Sequence, residues 1–299
     1  FHHNLMAHHE SRMPRLGPRP STQEREHVDM RNNVFYNWAG AGCYGGEGMK
    51  VNIVNNYYKP GPATPKTGPI SYRIAAIGIR TTKYCTGRNG EPNVWKPMEH
   101  VWGKFYVDGN VMEGNTEVTK DNWTRGMYEQ IRSSANDNTF TEQVKKEMRL
   151  NVPLEMGIVT THTAEEAYQL VLANAGCSHR RDIIDTRIVK ETKTGTAAYY
   201  GSISVDAKNK PGFIDVPDDV KPAGARSAWP DLSNDGIDTA NLKDSDNDGI
   251  PDIWETAHNL DSNDASDGNA VTLSDEGYTN LEIYLNDLVK NDTQNQSYN

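Results

Sequence analysis

The chain of 299 residues has only three cysteines, Cys43, Cys85 and Cys177. An odd count at wide spacing excludes a disulfide framework and a thiolate metal site, and leaves a single Cys43–Cys85 bridge as an open alternative. Long apolar runs are missing too. No stretch approaches the roughly 18 apolar residues that cross a bilayer, so no membrane span is expected. The first residues, Phe1-His2-His3-Asn4, offer neither an initiator methionine nor a basic segment leading into an apolar one. They read as mid-strand, and the chain as the downstream part of a longer protein. Hydrophobic residues make up 35% of the chain and the mean hydropathy is -0.77. Both are low for a compact α/β enzyme and suit a surface-rich or repetitive architecture. At this length a sizeable core and more than one domain are expected.

Positive charge is scarce at one end. Residues 231–299 hold 16 Asp/Glu and 2 Lys/Arg, net -14, whereas residues 1–230 hold 25 acids and 29 bases, net +4. Such a split marks two modules with different partners. The small basic excess beside an acidic tail excludes nucleic acid as a partner. A monomer is expected.

Three segments near the start align: "HHNLMA" from His2, "RNNVFYN" from Arg31 and "VNNYYK" from Val54. Each sets Asn4, Asn33 or Asn56 before large apolar or aromatic residues. Self-similarity at this period signals stacked repeats, and the β-formers around each asparagine make the units strand-like. A parallel β-helix follows, with Asn side chains stacked at one corner, where Asn also tolerates the left-handed conformation. Unrelated strands ending in Asn turns are the alternative. The Gly/Pro-rich stretches Trp38–Gly48 and Lys59–Pro69 read as loops protruding from the stack.

Against this background "HHESRMPRLGPRP" (His8–Pro20) concentrates Arg12, Arg15 and Arg19 among prolines. It reads as a solvated loop or as a cationic groove floor for an anionic polymer. Pro14 and Pro18 cannot continue a strand ladder, so the chain is expected to leave the sheet there. His2, His3, His8 and His9 lack acidic partners at ligand spacing, except Glu10, and are read as packing or groove-lining groups. Strand alternation would put His2 and His8 on one face and His3 and His9 on the other.

The run "HHNLMAHHESRMPRLG", then "RNNVFYNW" and "VNIVNNYYKPGPAT", resembles the C-terminal half of a family 1 polysaccharide lyase, a pectate lyase. The likeness covers roughly residues 1–200, with "GKFYVDGNVMEGNTEVTKDNW" and "TAEEAYQLVLANAG" as later markers. It implies an all-β fold, a right-handed parallel β-helix, with the HHN strand leading to R-x-P-R on the groove wall. It also implies β-elimination on polygalacturonate, with other galacturonans and methylated pectin left open. Arg12 matches the proton-abstracting arginine, while Arg15 and Arg19 would hold substrate carboxylates. The family's further substrate arginine falls at Gly17. The family's catalytic Ca²⁺ ligands are expected upstream of Phe1, which predicts that the chain alone is inactive. A non-catalytic β-helix binding acidic polysaccharide at the cell surface is the other reading. Hydrolysis by paired carboxylates is disfavoured, because the segment offers one acid, Glu10.

Downstream, "TAEEAYQLVLANAG" predicts a structural helix over 163–176, with Thr163 and Glu166 as a capping box. Residues 1–205 are assigned to the β-helix, 206–230 to a linker or strap, and 231–299 to a calcium-binding module. There "DSDNDGIPDIWE" sets Asp244, Asp246, Asp248, Ile250 (through its carbonyl), Asp252 and Glu255 at EF-hand loop positions around Gly249. With no helix before the loop, it resembles a thrombospondin type 3 or dockerin-like repeat binding Ca²⁺. Residues 260–269 are read as part of a second site. "GYTNLEIYLNDLV" predicts a final helix packing through Leu281, Tyr284, Leu285 and Leu288. Calcium loading at millimolar concentration implies a secreted, periplasmic or cell-surface setting.

Overall fold

Asparagine sets the corners of the first unit. In this computed structural model, which describes residues 1–131, 137, 140–230 and 239–290, strands β1 (Leu5–Ala7), β4 (Val34–Tyr36), β7 (Tyr57–Lys59) and β10 (Val111–Met112) directly follow Asn4, Asn33, Asn56 and Asn110. They pair in parallel in the order β1-β4-β7-β10. The amides form a ladder: Asn4 Nδ2 donates to Asn33 Oδ1 (2.9 Å), Asn33 Nδ2 to Asn56 Oδ1 (2.9 Å), Asn56 Nδ2 to Asn110 Oδ1 (2.8 Å) and Asn110 Nδ2 to Asn122 Oδ1 (3.0 Å). The left-handed corner lies one residue earlier, at His3 (φ 53°), Asn32 (φ 57°) and Asn55 (φ 50°). Ladder and corner are thus separate residues, where the sequence reading gave one asparagine both tasks.

Two more parallel sheets complete the stack. One runs β3 (His27–Arg31), β6 (Lys50–Val54), β9 (Lys104–Asp108). The other runs β2 (Arg15–Leu16), β5 (Cys43–Gly45), β8 (Ala75–Ile77), β11 (Met127–Glu129). Inward residues of all three sheets meet in a single core, among them Phe35, Tyr58, Leu16, Ile77, Ile53 and Phe105. Phe35 stacks on Tyr58 at 4.7 Å. Burying each large side chain stabilises by about 1.5–3 kcal/mol. Parallel sheets around one core are compatible with a parallel β-helix. Cys43 and Cys85 are buried and free, so the alternative bridge is not formed.

Helices are more numerous than the two expected, one over 163–176 and one in the C-terminal module. Short helices α1 (Thr82–Cys85), α2 (Thr116–Lys120), α3 (Asn122–Gly126) and α4 (Glu142–Met148) fill connections. Helix α5 (Ala164–Asn174) starts at the Thr163–Glu166 capping box, and its Tyr168 packs on Tyr57 at 4.5 Å. Helix α6 (Ile183–Thr194) brings Glu191 within 2.9 Å of His8. Helix α7 (Val205–Asn209) and a 3₁₀ turn at Pro217–Val220 occupy the stretch read as linker or strap.

A strap does cross the stack, but upstream of that stretch. Arg149 bridges Phe105 of β9, Leu154 N donates to Asn52 Oδ1 of β6 (2.9 Å), and His162 N donates to Asn32 Oδ1 (3.0 Å). The expected histidine alternation is not observed, because His3 and His8 (φ 58°) turn the chain on either side of the three-residue β1. His3 sits between His2 and His162, 3.0 Å from each. Burial and the two neighbouring imidazoles push its pKa down to about 4. Among the described residues, no helix is long and apolar enough to cross a membrane.

Contacts divide the chain into two units, Phe1–Gly176 with Ile183–Trp229, and Cys177–Asp182 with Pro230–Asn299. In the second unit a 3₁₀ turn (Thr239–Leu242) precedes α8 (Asp252–His258) and α9 (Asn280–Leu288). The expected module's two ends, 231–238 and 291–299, lie outside the described residues. Helix α9 has the Thr279–Glu282 capping box. Leu281 and Tyr284 are half-buried, but Leu285 and Leu288 are exposed at 51% and 38%, so the packed stripe is narrower than expected.

Candidate active site and cation site

The arginine segment is held by what alternates with it. Met13, Leu16 and Pro18 are buried, so Arg12, Arg15 and Arg19 face outward. The chain does not leave the sheet for good at Pro14. It rejoins as β2, Arg15 opposite Tyr44 and Leu16 opposite Gly45, because Pro14 supplies a carbonyl that Tyr44 N bonds at 3.2 Å and Leu16 a carbonyl that Gly46 N bonds at 2.9 Å. Missing donors at Pro14 and Pro18 therefore shorten the strand to two residues without ending it. Gly45 is required there: at φ 103°, a Cβ would stand 2.1 Å from Leu16 O.

Arg12 adopts φ 66°, an uncommon conformation for a non-glycine residue. Its Nε donates to Tyr44 Oη at 3.1 Å. Tyr44 is also the cross-strand neighbour of Arg15, so the first two arginines meet the same strand position. Arg19 is engaged elsewhere, its Nε donating to Glu26 Oε1 at 3.1 Å. A hydrogen bond from Thr22, then those from Arg19, holds the Glu26 carboxyl below its ordinary range. At Gly17 an added Cβ would meet only the Arg15 side chain, at 3.7 Å. No motif marks Tyr44 or the Arg19–Glu26 pair, because parallel pairing and a local turn bring them in.

In the second unit the oxygens of Asp244, Asp246 and Asp248 come within 4.8 Å of one another, as do those of Asp248, Glu255 and Asp267. Tight loop turns at Asn247 (φ 64°) and Gly249 (φ 99°) make this arrangement. Backbone N–H groups occupy one side of the first three carboxylates: Asn247 N and Gly249 N bond Asp244, Asp248 N bonds Asp246 Oδ1, and Ile250 N bonds Asp248 Oδ1. Asp246 Oδ2, Asp248 Oδ2, both Glu255 oxygens and Asp267 Oδ1 are buried without a hydrogen-bond partner.

Glu255 is fully buried. Burial, then the fields of Asp246, Asp248, Asp267 and Asp252, push its pKa up to about 7. Converging buried carboxylates with orphaned oxygens fit a hard divalent cation. Ile250 is fully buried and anchors the loop. Asp252 turns aside, accepting from Lys243 Nζ (2.7 Å) and Ser245 N (2.7 Å), contacts that hold its carboxyl below the ordinary range. Asp267, assigned from sequence to a second site, joins the first.

No family model matches the chain. Among curated proteins it is similar to the probable pectate lyase C of Aspergillus flavus (27% identical over 265 residues, 87% of this chain and 48% of the relative). It is likewise similar to those of Neosartorya fischeri (26% over 266 residues) and Aspergillus fumigatus (27% over 267 residues), again covering 87% of this chain and 48% of each relative. The chain spans about half the length of the curated relatives it matches. This similarity supports a pectate lyase-like kinship.

Proposed function

We propose that the chain forms coils of a right-handed parallel β-helix in a secreted, monomeric lyase that cleaves polygalacturonate by β-elimination. The observation that carries this reading is the hydrogen bond from outward-facing Arg12 to Tyr44, the residue in register with Arg15 on the neighbouring strand, in a chain similar to pectate lyases. Elimination breaks the C5–H bond beside the uronate carboxylate. Its electron pair forms the C4–C5 double bond as the C4–O bond breaks and the departing oxygen takes up a proton. Charge grows next to a carboxylate that is already negative, so fixed cations matter most in the transition state.

In this scheme Arg12 accepts the proton. A guanidinium has five N–H donors and no acceptor, so one of its nitrogens must first give up its own proton. Tyr44 fixes its Nε edge, and Arg15 pairs with the substrate carboxylate. Arg19 joins only by exchanging Glu26 for a substrate carboxylate.

Ca²⁺ in the second unit is the proposed structural cofactor, in a small module of the thrombospondin type 3 or dockerin sort. Asp244, Asp246, Asp248, the Ile250 carbonyl, Glu255 and Asp267 would hold it, and it would neutralise their charge.

Supplied with the half of a pectate lyase that holds the catalytic calcium, the chain is expected to form the ultraviolet-absorbing unsaturated product in alkaline buffer and Arg12→Ala to abolish it; undiminished product in the variant refutes the base assignment. The second reading, a non-catalytic binder of acidic polysaccharide, has one observation behind it. Among the described residues, carboxylate groups able to hold a metal gather only at 244–267, none beside Arg12. It predicts polygalacturonate binding that weakens in Arg12→Ala with no product from either protein.

A further inference from the structure

A cavity of about 300 Å³ opens where the last strand of the arginine-bearing sheet meets α4. Trp123 and Phe140 form its apolar walls, and both pack at their backs against the core. Three cations line it, Lys145, Lys146 and Arg149, against one acid, Glu142. That acid is already matched: Lys145 Nζ lies 2.5 Å from Glu142 Oε1, and 5.0 Å from the centre of the Phe140 ring. Arg149 stands over Trp123 at 5.8 Å. Among the described residues neither Lys146 nor Arg149 forms an ion pair, and both are exposed. The cavity therefore has a net positive rim with two donors unspent.

We propose that this cavity binds an anionic sugar ring, one uronate unit, as a site separate from Arg12. The ring's C–H face would lie against the Trp123 and Phe140 walls, and its carboxylate would reach Arg149 and Lys146. The volume stands at the lower end of small-molecule sites, which limits the occupant to about one sugar ring. Guanidinium and ammonium groups pair strongly with carboxylates, and aromatic walls select a ligand with an apolar face over a bare anion. The cavity's Ile77 and Met127 lie on β8 and β11. These are two and three strands from β2, roughly 10–15 Å at the usual strand spacing. One polymer chain could span both places. The choice of a uronate rests on the lyase reading; the preference for an anion with an apolar face rests on the cavity alone.

The test is titration calorimetry of the protein with galacturonate, trigalacturonate, galactose and acetate, alongside saturation-transfer NMR. Galacturonate is expected to bind, and galactose and acetate to bind at least about tenfold more weakly. The double variant Lys146→Ser/Arg149→Ser changes two exposed side chains and should lose galacturonate binding by a similar factor, with an unchanged circular dichroism spectrum. Arg149→Lys should recover part of it. Galacturonate binding that Arg12→Ala removes belongs to the proposed active site, whereas the part lost with Lys146→Ser/Arg149→Ser should survive in Arg12→Ala, which separates the two sites whatever that variant does to product formation. Equal binding of galactose or acetate, or unaltered binding by the double variant, overturns the proposal.

Discussion

Stripping divalent cations from the second unit should make its stability fall as pH rises. The worked quantity is Glu255, fully buried, whose pKa moves from an ordinary 4.5 to about 7 in the cation-free fold. Between those values the unfolded chain has released this proton and the folded chain has kept it. Stability is therefore greatest below the lower value and declines until the folded group ionises at the upper one. The span corresponds to a loss on the order of 3 kcal/mol, which moves the unfolding midpoint of a small domain by roughly 10–20 °C. Calcium at about one hundred times its dissociation constant should restore about 2.7 kcal/mol. Trp254 reports locally, since its ring stacks on His258 at 3.7 Å and its Nε1 bonds Asp287. Thermal unfolding followed by tryptophan fluorescence, in chelator and in calcium at about pH 5 and about pH 8, measures both effects. Asp267→Asn should weaken the calcium response at least about tenfold, though the residue lies outside the loop motif. A cation-free midpoint that does not fall with pH, together with no upward shift on adding calcium, would refute the reasoning.

Other expectations follow from the first unit. Asn56→Ala removes the Asn56 amide from Asn33 N, Asn33 Nδ2, Met30 O and Asn110 Oδ1, though Asn33 Nδ2 keeps Phe1 O and Asn110 Oδ1 keeps the Asn56 backbone N–H. At about 1–3 kcal/mol for a buried orphan such as Asn33 N, a loss of about 2–3 kcal/mol is expected in urea unfolding. Gly17→Arg should leave the unfolding midpoint unchanged, because its Cβ has room, and should tighten polygalacturonate binding several-fold in a pull-down titration. A folding defect there would show that the space beside Arg15 is misread.

The stacked architecture was legible where spacing was short. Asn4, Asn33 and Asn56 lie 29 and 23 residues apart and announce themselves. Asn110 does not, because the next rung spans 54 residues and the intervening excursion erases the period. Helix α6 was missed because its sequence, IIDTRIVKETKT, is mostly polar and offers only four apolar positions. Arg12 was legible as a motif, whereas its partner Tyr44 depends on strand register across 32 residues. The acidic loop was readable in its first half, where carboxylates alternate along the chain. Asp267 arrives from a separate turn, whose Gly268 sits against Asp248 so closely that a Cβ would come 2.1 Å from Asp248 Oδ2.

The asparagine ladder has a direction. Every rung's NH₂ group points toward the following coil, and the final one, Asn122, instead gives its hydrogens to the carbonyls of Asn110, Val118 and Thr119. The relay therefore ends on itself: the Asn122 amide has no hydrogen left over to recruit another molecule's coil. A solenoid whose terminal rung kept its hydrogens free would offer a template for end-to-end growth into fibres; here the sequence closes the stack with the residue type that builds it.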